Sequence, residues 1–341
     1  MVGKIHNQTD RQTDRQTDRQ ADRQTRIQIL RGLAIVAVVL IHNTPDGMPE
    51  VFIRPFINFG VGLFLFLSGM LSNANHWKPK KRLKKVLIPY AIWSFLYIVI
   101  SNVGNWESLP AELIIKLITG KAVAPMYYVF VYCELTLLIP LIDKLAKSKA
   151  KYIGLLISPI EICIFRLIPL ILGHTMDTSI STIMNISCLG WFSYFYLGYL
   201  IGNGLLSIRA KNHFLYLYLV VSVLIQFAEG FVYWRLGDNN CGTQLKLSSL
   251  LTGVIICILA FKFLNKSGDI PRASRIIKTI GDYSFGIYFS HIAVMKLLSM
   301  IPCYDIYIIF PLNAICTIAL DMLLIYFGRK ILGKYRFLLA I

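Results

Sequence analysis

The sequence is short of charge. Only 16% of its 341 residues are Asp, Glu, Lys or Arg, against about a quarter in soluble globular chains. With 56% hydrophobic residues and a mean hydropathy of +0.60, that shortage excludes a water-soluble domain. Acids are scarcest: 18 Asp and Glu face 35 Lys and Arg, a formal net charge of +17. In a soluble protein such an excess points to nucleic acid. In a membrane protein basic residues gather in cytoplasmic loops, so their placement decides. Cysteine is also sparse. The seven cysteines are scattered and odd in number, with no CxxC pair. That excludes a disulfide scaffold and any zinc-site spacing, so no metal is expected. The N-terminus lacks a basic segment followed by an apolar core and a small-residue cleavage site, so no secretory signal is expected.

What stands at the N-terminus instead is a polar repeat. Gln8-Thr9-Asp10-Arg11 recurs with a single departure at Ala21. Residues 1–26 hold almost nothing apolar, and such a segment is expected to be disordered. A four-residue period is also what a twelve-nucleotide unit produces, and three copies of GACA read Asp-Arg-Gln-Thr in frame. Slippage in such a tract would shift the frame and switch expression, a phase-variable gene of a host-adapted bacterium. Mixed codons for the repeated residues would exclude this.

Beyond the head, apolar runs dominate. A bilayer span needs about 20 mostly apolar residues. Ten stretches qualify, near 27–43, 56–75, 86–102, 126–142, 152–172, 186–202, 213–233, 247–264, 283–301 and 306–328. Residues 107–121 read as interfacial. The expected fold is all-α, a polytopic integral membrane bundle of about ten transmembrane helices over 27–328, followed by a basic tail, 329–341. With the N-terminus inside, the alternate loops on that side carry 21 Lys and Arg, against five on the other. This asymmetry predicts both termini in the cytoplasm. It also accounts for the positive charge without nucleic acid, leaving membrane lipid as the surrounding partner.

Ionisable residues inside spans are functional candidates. Lys296, Glu229 and Asp321 lie near predicted span ends and are expected to snorkel to the surface. Glu161 and Arg166 are five apart on one span, do not face each other well on an α-helix, and are expected to pair with other helices. Arg31 and His42 are eleven apart on the first span. Eleven steps return to within roughly 20° of the same face, with a rise of about 16 Å. One face therefore carries a fixed cation near the cytoplasm and an imidazole further out. Two readings fit that spacing equally: a face that holds an elongated, anionic-headed donor, or a packing histidine with a snorkelling arginine.

The run from Arg31 through His42 resembles the R-x10-H signature of the integral-membrane acyltransferase 3 family. The resemblance continues in order. Gly62-Leu-Phe-Leu-Phe-Leu-Ser68-Gly69 is similar to the aromatic-rich Ser-Gly segment of its second span. Arg82-Leu-Lys-Lys85, ahead of Pro89-Tyr90, resembles its R-x-x-R motif. Tyr127-Tyr128 through Pro140 resembles its fourth span, and Gly281-Asp-Tyr-Ser284 through His291 its ninth. Two positions depart: Lys85 stands for the second arginine and loses its bidentate fork, and Tyr127 or Tyr128 stands for a tryptophan.

The resemblance implies an enzyme of the bacterial inner (cytoplasmic) membrane. It would move an acyl group, usually acetyl, from cytoplasmic acetyl-CoA to a sugar hydroxyl of a surface glycan or its lipid-linked precursor, such as lipopolysaccharide. A hydroxyl needs a positioned base near neutral pH, and His42 suits that role. Arg31 is the matching cation, catalytic or donor-binding. Arg82 and Lys85 suit the CoA phosphates, although the cytoplasmic charge bias explains them too. Ser68 and His291 are secondary candidates, Ser68 as an acyl carrier or, with Gly69, a helix-packing site. A transporter or acyl-donor channel without chemistry of its own is the competing class. It predicts inverted internal repeats, and the two halves show no clear self-similarity.

Overall fold

The computed structural model describes residues 2–173, 178–237, 241–266, 268, 270–272, 274–304 and 308–341. Among these every regular element is helical. The chain runs through α1 (Val2–Asn43), α2 (Met48–Ile53), α3 (Phe59–Met70), α4 (Pro79–Ser101), α5 (Leu109–Thr119), α6 (Tyr127–Leu137) and α7 (Ile139–Lys147). Then come α8 (Ile157–Ile162), a π-helical turn (Cys163–Leu167), α9 (Ile168–Ile171), α10 (Thr178–Ile186) and α11 (Phe192–Gly202). The last four are α12 (Asn212–Arg235), α13 (Leu247–Leu264), α14 (Ser274–Ser299) and α15 (Leu312–Leu332).

Helices α3 and α11 form the centre, and every residue of α11 from Phe192 to Ile201 is buried. Small residues bring the backbones together. A Cβ on Gly69 would collide with the carbonyl oxygen of Phe195, so α3 and α11 touch main chain to main chain, the mode by which helices associate when lipid removes the hydrophobic drive. A buried polar network adds to it. Asn58 donates to Gln226 (3.2 Å) and Ser249 (3.2 Å), and Gln226 donates to Thr252 (2.9 Å), tying the start of α3 to α12 and α13. Outward, α12 presents Leu217, Val220, Leu224 and Ile225 to the surroundings. Such a face is matched by hydrocarbon rather than water.

Among the described residues six helical segments are able, by length and composition, to cross a membrane, beginning with Gln20–Asn43 and Met48–Met70. A seventh arises if Leu109–Thr119 and Ala124–Leu137, bent by 48°, count as one. That is fewer than the ten expected. In the stretch 186–202 the longest α-helical run is α11, with 11 residues. The stretch 126–142 is divided between α6 and α7, with Pro140 at the join. The stretch 283–301 lies in α14, which carries Arg275, Lys278, Asp282 and Lys296. In the tenth stretch, residues 306 and 307 lie outside the described residues.

Two boundary expectations also change. Helix α1 begins at Val2, so helix continues backwards through the polar repeat that composition marks as disordered. Extending an existing helix costs far less than nucleating one, and the repeat holds no Pro or Gly. The basic tail does not stand apart either. Trp93 Nε1 donates to the Leu339 carbonyl (3.1 Å), and Arg329 stacks on Tyr283 at 4.1 Å.

Candidate active site

Helices α1 and α14 run parallel. Residues 28–32 meet 277–281, and further along Asn43 Nδ2 donates to Met295 Sδ at 3.4 Å. The approach is backbone-close, because a Cβ on Gly32 would strike the Ile277 carbonyl and one on Gly281 the Gln28 carbonyl. This packing sets His42 beside His291, with ring centroids 5.3 Å apart and planes inclined by 44°. His291 is fully buried, and its Nδ1 lies 2.8 Å from the Ile287 carbonyl. A carbonyl only accepts, so Nδ1 carries the proton and Nε2 keeps its lone pair. Among the described residues Nε2 has no hydrogen-bond partner.

His42 is half-buried and stands on the wall of two cavities. The larger, about 1040 Å³, is lined by Arg54, Lys121, Arg166, Tyr127, Tyr128, Trp191, Tyr233 and Tyr288 among others. The smaller, about 390 Å³, is lined by Asn43, Lys296, Asn313 and Thr317 among others. His42 is the residue common to both walls.

Arg31, Ser68, Arg82 and Lys85 are not among the described residues that line either cavity. Arg82 donates from Nη1 to Ser72 Oγ (2.8 Å), and Ser72 Oγ donates to the Ser68 carbonyl (2.7 Å). Arg31 is exposed on α1, about 16 Å along the axis from His42. Lys85 is exposed one turn beyond Arg82. The wall of the large cavity is aromatic: Tyr128 and Tyr288 have ring centroids 5.5 Å apart, and Tyr288 donates to the Pro125 carbonyl (2.6 Å).

Three expectations about charges are corrected. Glu161 and Arg166 do face each other, with Arg166 Nη2 3.6 Å from Glu161 Oε1. The π-helical turn between them bonds i to i+5, which turns residues five apart onto one side. Asp321 does not snorkel. It is fully buried and accepts from Ser290 Oγ at 2.5 Å. Glu229 is partly buried and accepts from the Ser248 amide (2.9 Å), which closes the start of α13. Lys246, just ahead of α13, is buried as well, and its Nζ donates to the Cys241 carbonyl at 2.6 Å. All seven cysteines are free thiols.

The sequence profile of the family described as an acyltransferase domain, acyltransferase 3, matches residues 24–327. The chain belongs to this family. It is therefore a membrane acyltransferase, and its apolar helices make it a multi-pass one. Among curated proteins it is similar to the "Probable poly-beta-1,6-N-acetyl-D-glucosamine export protein" of Staphylococcus aureus (strain MSSA476), 26% identical over 278 residues, 74% of this chain and 75% of the relative. The protein of the same name in strain Mu50 / ATCC 700699 is 25% identical over 276 residues, with the same coverage. No solved structure matches. The large cavity also gathers residues to which the sequence gave no site role: Arg54, Arg166 and the aromatic wall. Their signal was the interruption of apolar runs by charge, which does not tell a cavity from a packing contact.

Proposed function

We propose that this acyltransferase moves an acyl group, acetyl by preference, from cytoplasmic acyl-CoA to a sugar hydroxyl of a surface glycan such as lipopolysaccharide. It would do so from the bacterial inner membrane, with ten membrane-crossing segments and both termini in the cytoplasm. The observation that carries the reading is His42. It stands on both cavity walls against a second imidazole, about one half-membrane from a cluster of cations along its own helix.

In this reading the CoA phosphates lie at Arg82 and Lys85. Ser72 holds one Arg82 nitrogen and leaves the rest of the guanidinium for a phosphate. Arg31 binds the donor's phosphates or hydrogen-bonds the uncharged pantetheine end. The acceptor enters the large cavity. His42 removes the proton as the sugar oxygen attacks the thioester carbonyl. The C–O bond forms, the C–S bond breaks, and the proton passes from His42 to the departing thiolate. His291 Nε2, having no partner among the described residues, is placed to accept a hydrogen bond from His42 when that ring is protonated.

Replacing Lys85 by Ala should raise the acyl-CoA concentration needed for half-maximal transfer several-fold with little change at saturation. An unchanged requirement would leave Lys85 a topology residue. Reporters fused after Lys85 and after Gly237 should sit on opposite sides of the membrane, and same-side signals would break the orientation. The repeated head fits phase-variable expression of such an enzyme.

An export role is the second reading, favoured by the name of the staphylococcal relatives. Purified protein in vesicles with labelled acetyl-CoA and a candidate glycan separates the two. Label on the glycan supports the transferase, and glycan crossing the bilayer unlabelled supports export.

A further inference from the structure

We propose that the large cavity grips its ligand by an oxyanion, with Arg166 as the anchoring cation. The proposal deepens the reading of that cavity as the acceptor site and rests on it.

Arg166 is in the cavity because of the π-helical turn Cys163–Leu167. On a regular α-helix it would point well away from Glu161. The widened turn brings both inward, and such turns recur at functional sites. The resulting pair is incomplete. At 3.6 Å it is too long for a hydrogen bond. Arg166 Nε and Nη2 and both Glu161 oxygens are buried without a hydrogen-bond partner among the described residues. Burying an ion pair is favourable only if its remaining donors and acceptors are satisfied. Yet the fold makes room for this one, since a Cβ on Gly190 would come within 2.9 Å of Glu161 Oε2. A guanidinium whose Nε and Nη2 are unpaired beside one carboxylate, on a side chain that keeps 18% of its surface exposed, gains by turning two N–H groups to a bidentate oxyanion in the cavity.

The surroundings agree in sign. Arg54 and Lys121 share the cavity, and Glu50 is the one acid among its described lining residues. Those two cations are already engaged: Arg54 Nη2 donates to Glu50 Oε1 (2.7 Å), and Lys121 Nζ donates to Thr182 Oγ1 (2.7 Å). Arg166 is the cation whose hydrogen bonding is most open. Its field reaches Tyr127, which stacks on Trp191 with centroids 6.1 Å apart and planes 22° from parallel. A flat aromatic wall next to a guanidinium fits a pyranose bearing a negative group. The oxyanion has two chemical sources, the carboxylate of an acidic sugar or the diphosphate of a lipid-linked one.

The test is equilibrium binding to the full chain in nanodiscs, read by tryptophan fluorescence, with Trp191 in the cavity wall. The probes are methyl β-glucuronide, methyl β-glucoside and inorganic pyrophosphate. At least one anionic probe should bind tenfold or more tightly than the neutral glucoside, and Arg166→Gln should erase that preference. Arg166→Lys should keep part of it. Preference for the glucuronide identifies a sugar carboxylate, and preference for pyrophosphate a diphosphate. Equal binding of charged and neutral probes, or a preference that survives Arg166→Gln, overturns the proposal. If Arg166→Gln does not fold, Glu161→Gln decides: freed of its competing carboxylate, Arg166 should bind the anionic probe several-fold tighter, and weaker or unchanged binding overturns the proposal. The assay needs no transfer. A charge preference in a protein that acylates nothing would leave the oxyanion site standing and remove the acceptor reading.

Discussion

His42→Ala is expected to lower acyl transfer by roughly 10²- to 10⁴-fold, the usual worth of a positioned general base, while the protein still inserts and accumulates. Both halves of that expectation come from geometry. The loss should be large because, among the described residues, His42 is the one imidazole lining the large cavity, so no neighbour replaces it beside the acceptor. His291 is not a substitute. It is fully buried behind His42, with Nδ1 committed to the Ile287 carbonyl. His291→Ala should therefore cost less than His42→Ala, through loss of a partner rather than loss of the base. Folding should survive because the half-buried imidazole of His42 borders open space, and removing it fills or empties no packed core. Transfer of labelled acetyl to glycan in membranes, normalised to the amount of protein, measures the first half. The thermal midpoint of detergent-purified protein measures the second. Wild-type transfer by His42→Ala would remove His42 as the base.

The membrane character and the first span were readable because they rest on composition and on one local period. The same holds for the position of His42 on α1. What lay beyond reading depends on partners distant in the chain or on departures from the regular helix. His42 and His291 meet only because Gly32 and Gly281 let α1 and α14 touch, a contact that no local pattern encodes. Glu161 and Arg166 were misread because a step of 100° per residue was assumed where the helix opens into a π turn. Asp321 was read as a surface carboxylate because it follows a long apolar run. It is buried because Ser290, on another helix, supplies its hydrogen bond. Over 186–202 apolarity marks burial as much as crossing, because the short helix α11 there is buried by protein along its whole length.

Gly281→Ala, a single added methyl group, is expected to lower transfer by about 10²-fold without touching any reacting group. On helix propensity alone the change should stabilise α14 by about 1 kcal/mol. The new Cβ, however, would collide with the main-chain carbonyl of Gln28 and come within 2.8 Å of its carbon. Backbone cannot rotate away as a side chain does, so α1 and α14 must separate by roughly 1 Å or more to reach ordinary van der Waals contact. Overpacking of this kind costs typically 1–3 kcal/mol, enough to outweigh the propensity gain. The catalytic effect should be larger than the stability effect, because His42 rides on one helix and His291 on the other. A displacement of about 1 Å at a reacting geometry lowers rates by about 10²-fold. Gly328→Ala is the matched control. It makes the same change in α15, but its Cβ meets only the flexible end of Ile341, which has room to turn aside. Transfer should fall at position 281 and hold at position 328, with the thermal midpoint lowered only for the first. Equal activity of the two variants would mean that α1 and α14 are free to separate without disturbing the imidazole pair, and that their close contact serves packing rather than catalysis.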